Sequence, residues 1–457
     1  MNAVIADFAD ADRSLSTLLE ALERSGAGYC LVRTYDDLVP AAGSDVDLVT
    51  SAQLPVQFGR ALAAAGRRSG WRLVQVIGHG SGCAYVLARA QMNPRLQFLR
   101  IDAWTSPEVD GHHLYSGGDL LSHRRRDGLL WVPSPAIEFG GYLAKCIVKR
   151  ELTDSHGARL SRLFALDPAG CARETERWWG TASAEALIAA ARSGRWEAVR
   201  PSLPGYRADL LRRDVVRDGK GAAWRAIART IDRGRRMARP TNGLHVVFLG
   251  PDGVGKTTLI GSIERELAGA FADVAIEVVA PSLSQIVDGL FRGRERSGPD
   301  ERASRPQALE AHPLALSLAK AVYWLVYYTL VYLLTVRPSL AKGRLVLQHR
   351  HLLDALVDPK RYRYGGPQWV LRLLLHIVPR PDVVLLLDAP GAVVRARKQE
   401  LPQAEIERQR VAYRALATAV PHGHVLDAAA PRDDVARSAT EILLDYLADR
   451  AKLRIGI

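Results

Sequence analysis

Residues 246–260 read VVFLGPDGVGKTTLI, and within them Gly250-Pro251-Asp252-Gly253-Val254-Gly255-Lys256-Thr257-Thr258 satisfies the spacing G-x-x-x-x-G-K-[ST]. Glycines let such a loop wrap closely around a phosphate, and its backbone N–H groups, with the start of the following helix, supply positive potential. Lys256 can reach the outer phosphates of a nucleotide, and the Thr257 hydroxyl can hold Mg2+. The context fits: an apolar run precedes the loop, and Leu259, Ile260, Ile263 and Leu267 follow at helical spacing.

A second set of candidates lies near the N-terminus. In GSDVDL, Asp45 and Asp47 stand two apart, on one face of a strand, and Asp102 follows in LRIDAW. Three carboxylates converging at a sheet edge can hold two Mg2+ ions for nucleotidyl transfer. Asp388 closes the apolar run DVVLLLDA, where a carboxylate either approaches Mg2+ or caps the next turn. The four cysteines (Cys30, Cys83, Cys146, Cys171) show no C-x-x-C spacing, which argues against zinc and for a reducing, cytoplasmic setting.

These residues need elements to hold them. With 457 residues the chain is expected to form two to three domains. Up to residue 135 a helix alternates with short strand-like runs, an α+β pattern. Helical spacing dominates 136–242, which ends in a basic connector. From 243 to 457 strands and helices alternate, predicting an α/β domain with a parallel sheet covered on both faces by helices. Ligands of such sheets bind beyond the carboxyl ends of the strands. One apolar stretch, 313–338, stands out. Its charge-free run Ala321–Val336 is 16 residues, shorter than the ~20 of a spanning helix, so a buried helix is expected, with membrane-surface attachment as the alternative. The N-terminus lacks the basic and apolar regions of a signal peptide. A net charge of +13 suits an anionic partner or reflects an arginine-rich composition; no specific nucleic-acid site is expected.

Residues 243–457 resemble the thymidylate kinases. The resemblance implies that Asp252 contacts the sugar hydroxyl of a bound monophosphate. It also implies that Arg350 binds the acceptor phosphate and that ATP with Mg2+ is the donor. Position 254 is valine, so the loop carries no catalytic arginine. In one branch of the family a lid supplies it, and 391–413 is similar to that lid, with Arg395, Arg397 and Lys398 as candidates and Arg408 and Arg410 on the next helix. A cation closing over the moving phosphoryl group would stabilise its transition state. The family carries Asp-Arg where this chain has His349-Arg350-His351, so either Asp354 or Asp388 serves the metal or the kinase activity is altered or lost. The stretch DPKRYRYGG adds Lys360, Arg361 and Arg363, and resembles the form of this fold encoded among bacterial surface-polysaccharide genes. That form brings a sugar or sugar phosphate into view as acceptor.

Residues 20–135 resemble the polymerase-β-type nucleotidyltransferases, which implies metal binding by Asp45, Asp47 and Asp102. The chain has Arg33-Thr34 where that family has Gly-Ser. The leading expectation is ATP-dependent phosphorylation of a small acceptor by Lys256, Thr257, Arg350 and the 391–413 arginines. Nucleotidyl transfer by the first domain and nucleotide binding without catalysis are the alternatives.

Overall fold

The computed structural model describes residues 17–32, 45–79, 82–90, 96–107, 115–128, 130–213, 242–277, 311–398 and 401–457, with isolated helical positions between 227 and 234. Arg33, Thr34 and most of the basic connector lie outside the described residues, as does the side chain of Asp45. The chain divides into two compact units, Met1–Gly234 with Leu447–Ile457, and Arg235–Tyr446.

In the first unit, Leu18, Leu19 and Leu22 recur at helical spacing and are wholly buried in the helix over 17–24. The sheet has the order β1-β2-β5-β4-β3, with β1 Tyr29–Leu31, β2 Asp45–Thr50, β3 Arg72–His79, β4 Gly82–Ala90 and β5 Leu96–Trp104. β2 and β5 run parallel and the other three pairs antiparallel. Helix Val56–Arg68 buries Phe58 and Leu62, and the Phe58 ring meets Tyr85 at 5.2 Å. A Cβ on Gly59 of that helix would lie 2.4 Å from Ile455 Cγ2, so only glycine lets the C-terminal segment approach. A hairpin of β6 (Arg124–Asp127) and β7 (Leu130–Pro133) leads into helices Pro135–Lys149, Asp154–Leu166 and Pro168–Ser193. Thr153 and Asp167 cap the latter two through side-chain oxygens. Phe139, Leu143, Leu160, Trp178 and Trp179 fill their shared core. The α+β sheet and the helical middle are thus both present.

The second unit is built on β8 Leu244–Leu249, β9 Val274–Glu277, β10 Leu345–Gln348, β11 Val383–Asp388 and β12 Gly423–Asp427, in the order β12-β11-β8-β10-β9. All neighbouring pairs are parallel. Every residue of β8 and β11 is buried, as required of strands covered on both faces. The helices include Lys256–Leu267, Leu314–Val331, Gln368–Ile377 and Gln403–Ala419. The apolar helix differs from expectation. It continues to Ala341, but only 28% of its apolar window is buried. Trp324, Tyr327 and Tyr328 pack inward, whereas Val322 and Val326 are exposed.

Two histidines sit inside this unit. His245 on β8 donates from Nε2 to Gln348 Oε1 at 2.7 Å, and its Nδ1 is buried without a partner. His351 follows β10, and its Nδ1 accepts the Leu353 N–H at 3.3 Å. Burial holds both imidazoles below their ordinary value of 6.5, and burial with repulsion from His245 takes His351 down to about 3. Both are neutral when folded and gain a proton when the chain unfolds below pH 6.5. Stability is therefore complete above about pH 7 and falls as pH drops below the unfolded value, by roughly 1 kcal/mol per pH unit for each imidazole. Urea midpoints at about pH 7.5 and about pH 5.5 should reveal the decline, and His351→Gln should make it shallower.

Candidate active site

Because β8, β10 and β11 are parallel, their carboxyl ends share one edge of the sheet. From β8 the chain crosses to β9, returns to β10 beside β8, and then moves to β11 on the opposite side. The order reverses at β8, and that is where a ligand crevice opens in sheets of this kind. Gly250 follows β8, His349 and Arg350 follow β10, and Asp388 ends β11.

The loop after β8 owes its shape to glycine. Gly250 and Gly253 have φ of 135° and 84°, and a Cβ on them would meet Leu387 O at 2.6 Å and Lys398 Cβ at 2.7 Å. Lys256, buried at the start of its helix, donates from Nζ to Gly250 O at 2.7 Å and Pro251 O at 2.9 Å. Burial, with repulsion from Arg350, pushes its ammonium down to about 8. Val254 is buried, while Thr257 and Thr258 are exposed one turn on.

Asp252 is the hub. Arg350 Nη2 donates to its Oδ1 at 2.6 Å, Arg361 Nη1 donates to its Oδ2, and Lys256 Nζ lies 3.7 Å away. Burial alone would raise the carboxyl, but Arg350, Lys256 and Arg361 hold it well below the carboxylate range. The partnership with Arg361 was not foreseen. The turn Asp358-Pro-Lys-Arg361 places it, with Asp358 Oδ1 accepting the Arg361 N–H at 3.1 Å, but nothing in that turn marks Asp252 as the partner.

His349 Nε2 lies 3.0 Å from Thr257 Oγ1. Burial, then Lys256 and Arg350, lowers its pKa, so a neutral imidazole is available to accept the hydroxyl proton. A hydroxyl turned that way keeps oxygen lone pairs for a cation. Thr257 therefore suits a Mg2+ that arrives with nucleotide phosphates and needs only one or two protein ligands. Among the described residues no group of three or more His, Cys, Asp or Glu side chains forms a metal cluster. Asp354 is committed elsewhere: it accepts from Tyr413 Oη at 2.8 Å and His351 N–H at 3.0 Å.

The basic segment divides by partner. Arg397, at the end of helix Gly391–Arg397, donates to Val254 O at 3.2 Å and Ala428 O at 3.1 Å, and so braces the loop. Arg395 is exposed. Arg408 pairs with Glu405. Arg410 forks onto Asp388 at 2.8 and 3.1 Å, so that carboxylate already has a cation. In the first unit, Asp47 and Asp102 are register partners, and Asp102 lies 3.2 Å from Arg100 Nε.

Comparison with known proteins supplies the family. No protein-family model matches the chain. A thymidylate kinase of Xanthomonas campestris pv. campestris is 32% identical over 230 residues, covering 47% of this chain and 88% of that protein. The chain belongs to the thymidylate kinase family. A Leifsonia xyli thymidylate kinase is 30% identical over 215 residues, covering 44% of this chain and 95% of that protein. A crystal structure of thymidylate kinase from Ehrlichia chaffeensis aligns with 44% of this chain and 98% of that chain, at 18% identity and a TM-score of 0.31. Membership of the thymidylate kinase family supports phosphotransfer of the nucleoside monophosphate kinase type, with ATP as donor.

The loop geometry makes a test. Gly253→Ala forces a side chain into a left-handed conformation and against Lys398. It should weaken binding of a fluorescent ATP analogue by about fivefold to a hundredfold, the range that loop strain of about 1–3 kcal/mol corresponds to.

Proposed function

We propose that this protein transfers the γ-phosphoryl group of ATP to a small acceptor that already carries a phosphate. The observation that carries the reading is the pair of guanidiniums on Asp252, one on each carboxylate oxygen, beside the Lys256 ammonium. An arriving phosphate can take over these donors, because bidentate arginine geometry serves phosphate and carboxylate alike.

In this scheme the ATP phosphates draw Lys256 away from the Gly250 and Pro251 carbonyls, and the loop N–H groups receive the oxygens. Mg2+, when bound with the nucleotide, neutralises phosphate charge and orients the γ-phosphoryl group. Thr257 would be its protein ligand, its hydroxyl donating a hydrogen bond to His349. Arg350 and Arg361 hold the acceptor phosphate, and Asp252, released from them in part, accepts a sugar hydroxyl. An acceptor oxygen then forms its bond to the γ-phosphorus as the bridging P–O bond breaks and ADP leaves. Arg395 and Lys398 supply cations from the neighbouring segment, while Arg397 keeps the loop in position. The relatives' name makes thymidylate the first acceptor to try, followed by other nucleoside monophosphates and sugar phosphates.

ADP release from Mg-ATP across that panel tests the reading. Lys256→Ala should lower kcat at least about a hundredfold. Arg350→Ala should raise the acceptor KM about tenfold to a hundredfold, the worth of a charge-assisted hydrogen bond, and leave ATP affinity nearly unchanged. Turnover that is indifferent to Lys256 refutes the proposal. ATP binding without turnover on any acceptor favours a non-catalytic nucleotide-binding protein.

A second reading rests on the first unit. The parallel register that sets Asp47 beside Asp102, two residues along from Asp45, supports a two-metal nucleotidyltransferase site. An Asp47→Asn and Asp102→Asn protein should lose pyrophosphate release from nucleoside triphosphates while keeping the ADP release above. Persistence of pyrophosphate release would rule this site out.

A further inference from the structure

Helix Gln403–Ala419 turns Ile406, Gln409, Tyr413 and Ala417 inward, one face at helical spacing. Two of these four buried side chains are polar, and no step of the phosphoryl transfer uses them. Burying an amide and a phenol is costly unless hydrogen bonds satisfy them. Both find the same short segment. Tyr413 Oη donates to Asp354 Oδ1 at 2.8 Å, and Gln409 Nε2 donates to Asp358 Oδ2 at 3.1 Å. The donors stand one helical turn apart, and so do the acceptors on the segment after β10, so the two contacts form consecutive rungs. Arg408 Nη2 adds a third contact, to the Val357 carbonyl at 3.1 Å.

Each acceptor also serves one arginine of the phosphate site. Asp358 Oδ1 accepts the Arg361 N–H at 3.1 Å and so sets the turn that sends Arg361 to Asp252. Asp354 Oδ2 accepts the His351 N–H at 3.0 Å, next in the chain to Arg350. Burial works against the Arg350 charge, and Asp354, ahead of Asp252, more than offsets it. The helix itself is anchored at the sheet edge, because its Arg410 forks onto Asp388 at the end of β11.

We propose that Gln409 and Tyr413 are positioning residues for the acceptor: through Asp358 and Asp354 they hold Arg361 and Arg350 at the spacing that receives its phosphate. This role rests on the phosphotransfer reading above. When a phosphate takes the two guanidiniums from Asp252, Asp354 stays behind as the counter-charge of Arg350, and Asp358 keeps the Arg361 turn closed. Arginines held this way have little freedom left to lose on binding. Without the rungs the acceptor itself must order them, and the cost falls on acceptor affinity. ATP, bound by the loop after β8, does not feel it.

Steady-state ADP release tests this, with the acceptor that turns over best in the panel above. Gln409→Leu and Tyr413→Phe should each raise the acceptor KM about threefold to tenfold, the worth of one hydrogen bond, and leave the ATP KM within about twofold of wild type. Added to Arg361→Ala, Gln409→Leu should have little further effect, because it acts through that arginine; a residue that only supports the fold would add its full effect. Asp358→Asn, which keeps an oxygen for the Arg361 N–H, should retain most of the acceptor affinity that Asp358→Ala loses, and this pair decides the matter if Gln409→Leu does not fold. Equal rises in both KM values, or full additivity with Arg361→Ala, overturn the proposal. So does an acceptor KM that rises with Arg361→Ala but with neither Gln409→Leu nor Tyr413→Phe. If Arg361→Ala leaves the acceptor KM unchanged, or no acceptor turns over, the phosphotransfer reading fails and the positioning role falls with it.

Discussion

A desolvated carboxylate is costly unless cations accompany it, and the arrangement around Asp252 answers to that constraint. The loop glycines bring Asp252 under the edge of the sheet, where water cannot solvate it fully. Two guanidiniums from separate segments and one ammonium from the next helix then collect on it. This fixes the relation between the phosphate loop, the end of β10 and the turn carrying Arg361. A site whose cations are already gathered has less ordering left to do when an anion arrives.

The sheet makes that gathering possible. Parallel strands deliver all their carboxyl ends to one edge, so chemistry-bearing residues far apart in sequence meet without long loops. Gly250, Arg350 and Asp388 come from three different crossovers, yet each follows or ends a strand of the same sheet. The braces work in the same way: Arg397 ties the loop after β8 to the segment after β12, and Arg410 holds the end of β11.

How much of this was legible in the sequence follows from the range of the interactions. The phosphate loop is local, its residues contiguous, and its glycine spacing records the backbone geometry directly. The alternation of strand and helix also reads out locally, because burial on both faces leaves β8 and β11 as unbroken apolar runs. Partner choice does not read out. Nothing near Arg361 names Asp252, 109 residues away, as its partner. Nor does anything near Ile455 indicate that Gly59 was kept small for it. The apolar helix is buried on one face and exposed on another for a related reason: composition reports how apolar a helix is, whereas exposure depends on which of its faces finds a neighbour.

The polar residues inside the sheet complete the connection between core and site. Gln348 Nε2 donates to the Arg350 carbonyl at 2.5 Å, so its Oε1 must be the acceptor facing His245, and His245 Nε2 must carry the proton. With Nδ1 lacking a partner, a second proton on this imidazole would have no acceptor in a desolvated place, and the ring stays neutral. The neutral ring thereby sets the orientation of the Gln348 amide, and the amide sets the backbone that carries His349 toward Thr257 and Arg350 toward Asp252. A histidine near the start of one buried strand and a glutamine at the end of its neighbour look like defects of an apolar core. Their hydrogen bonds instead hold the residues after β10 in register with the phosphate loop after β8.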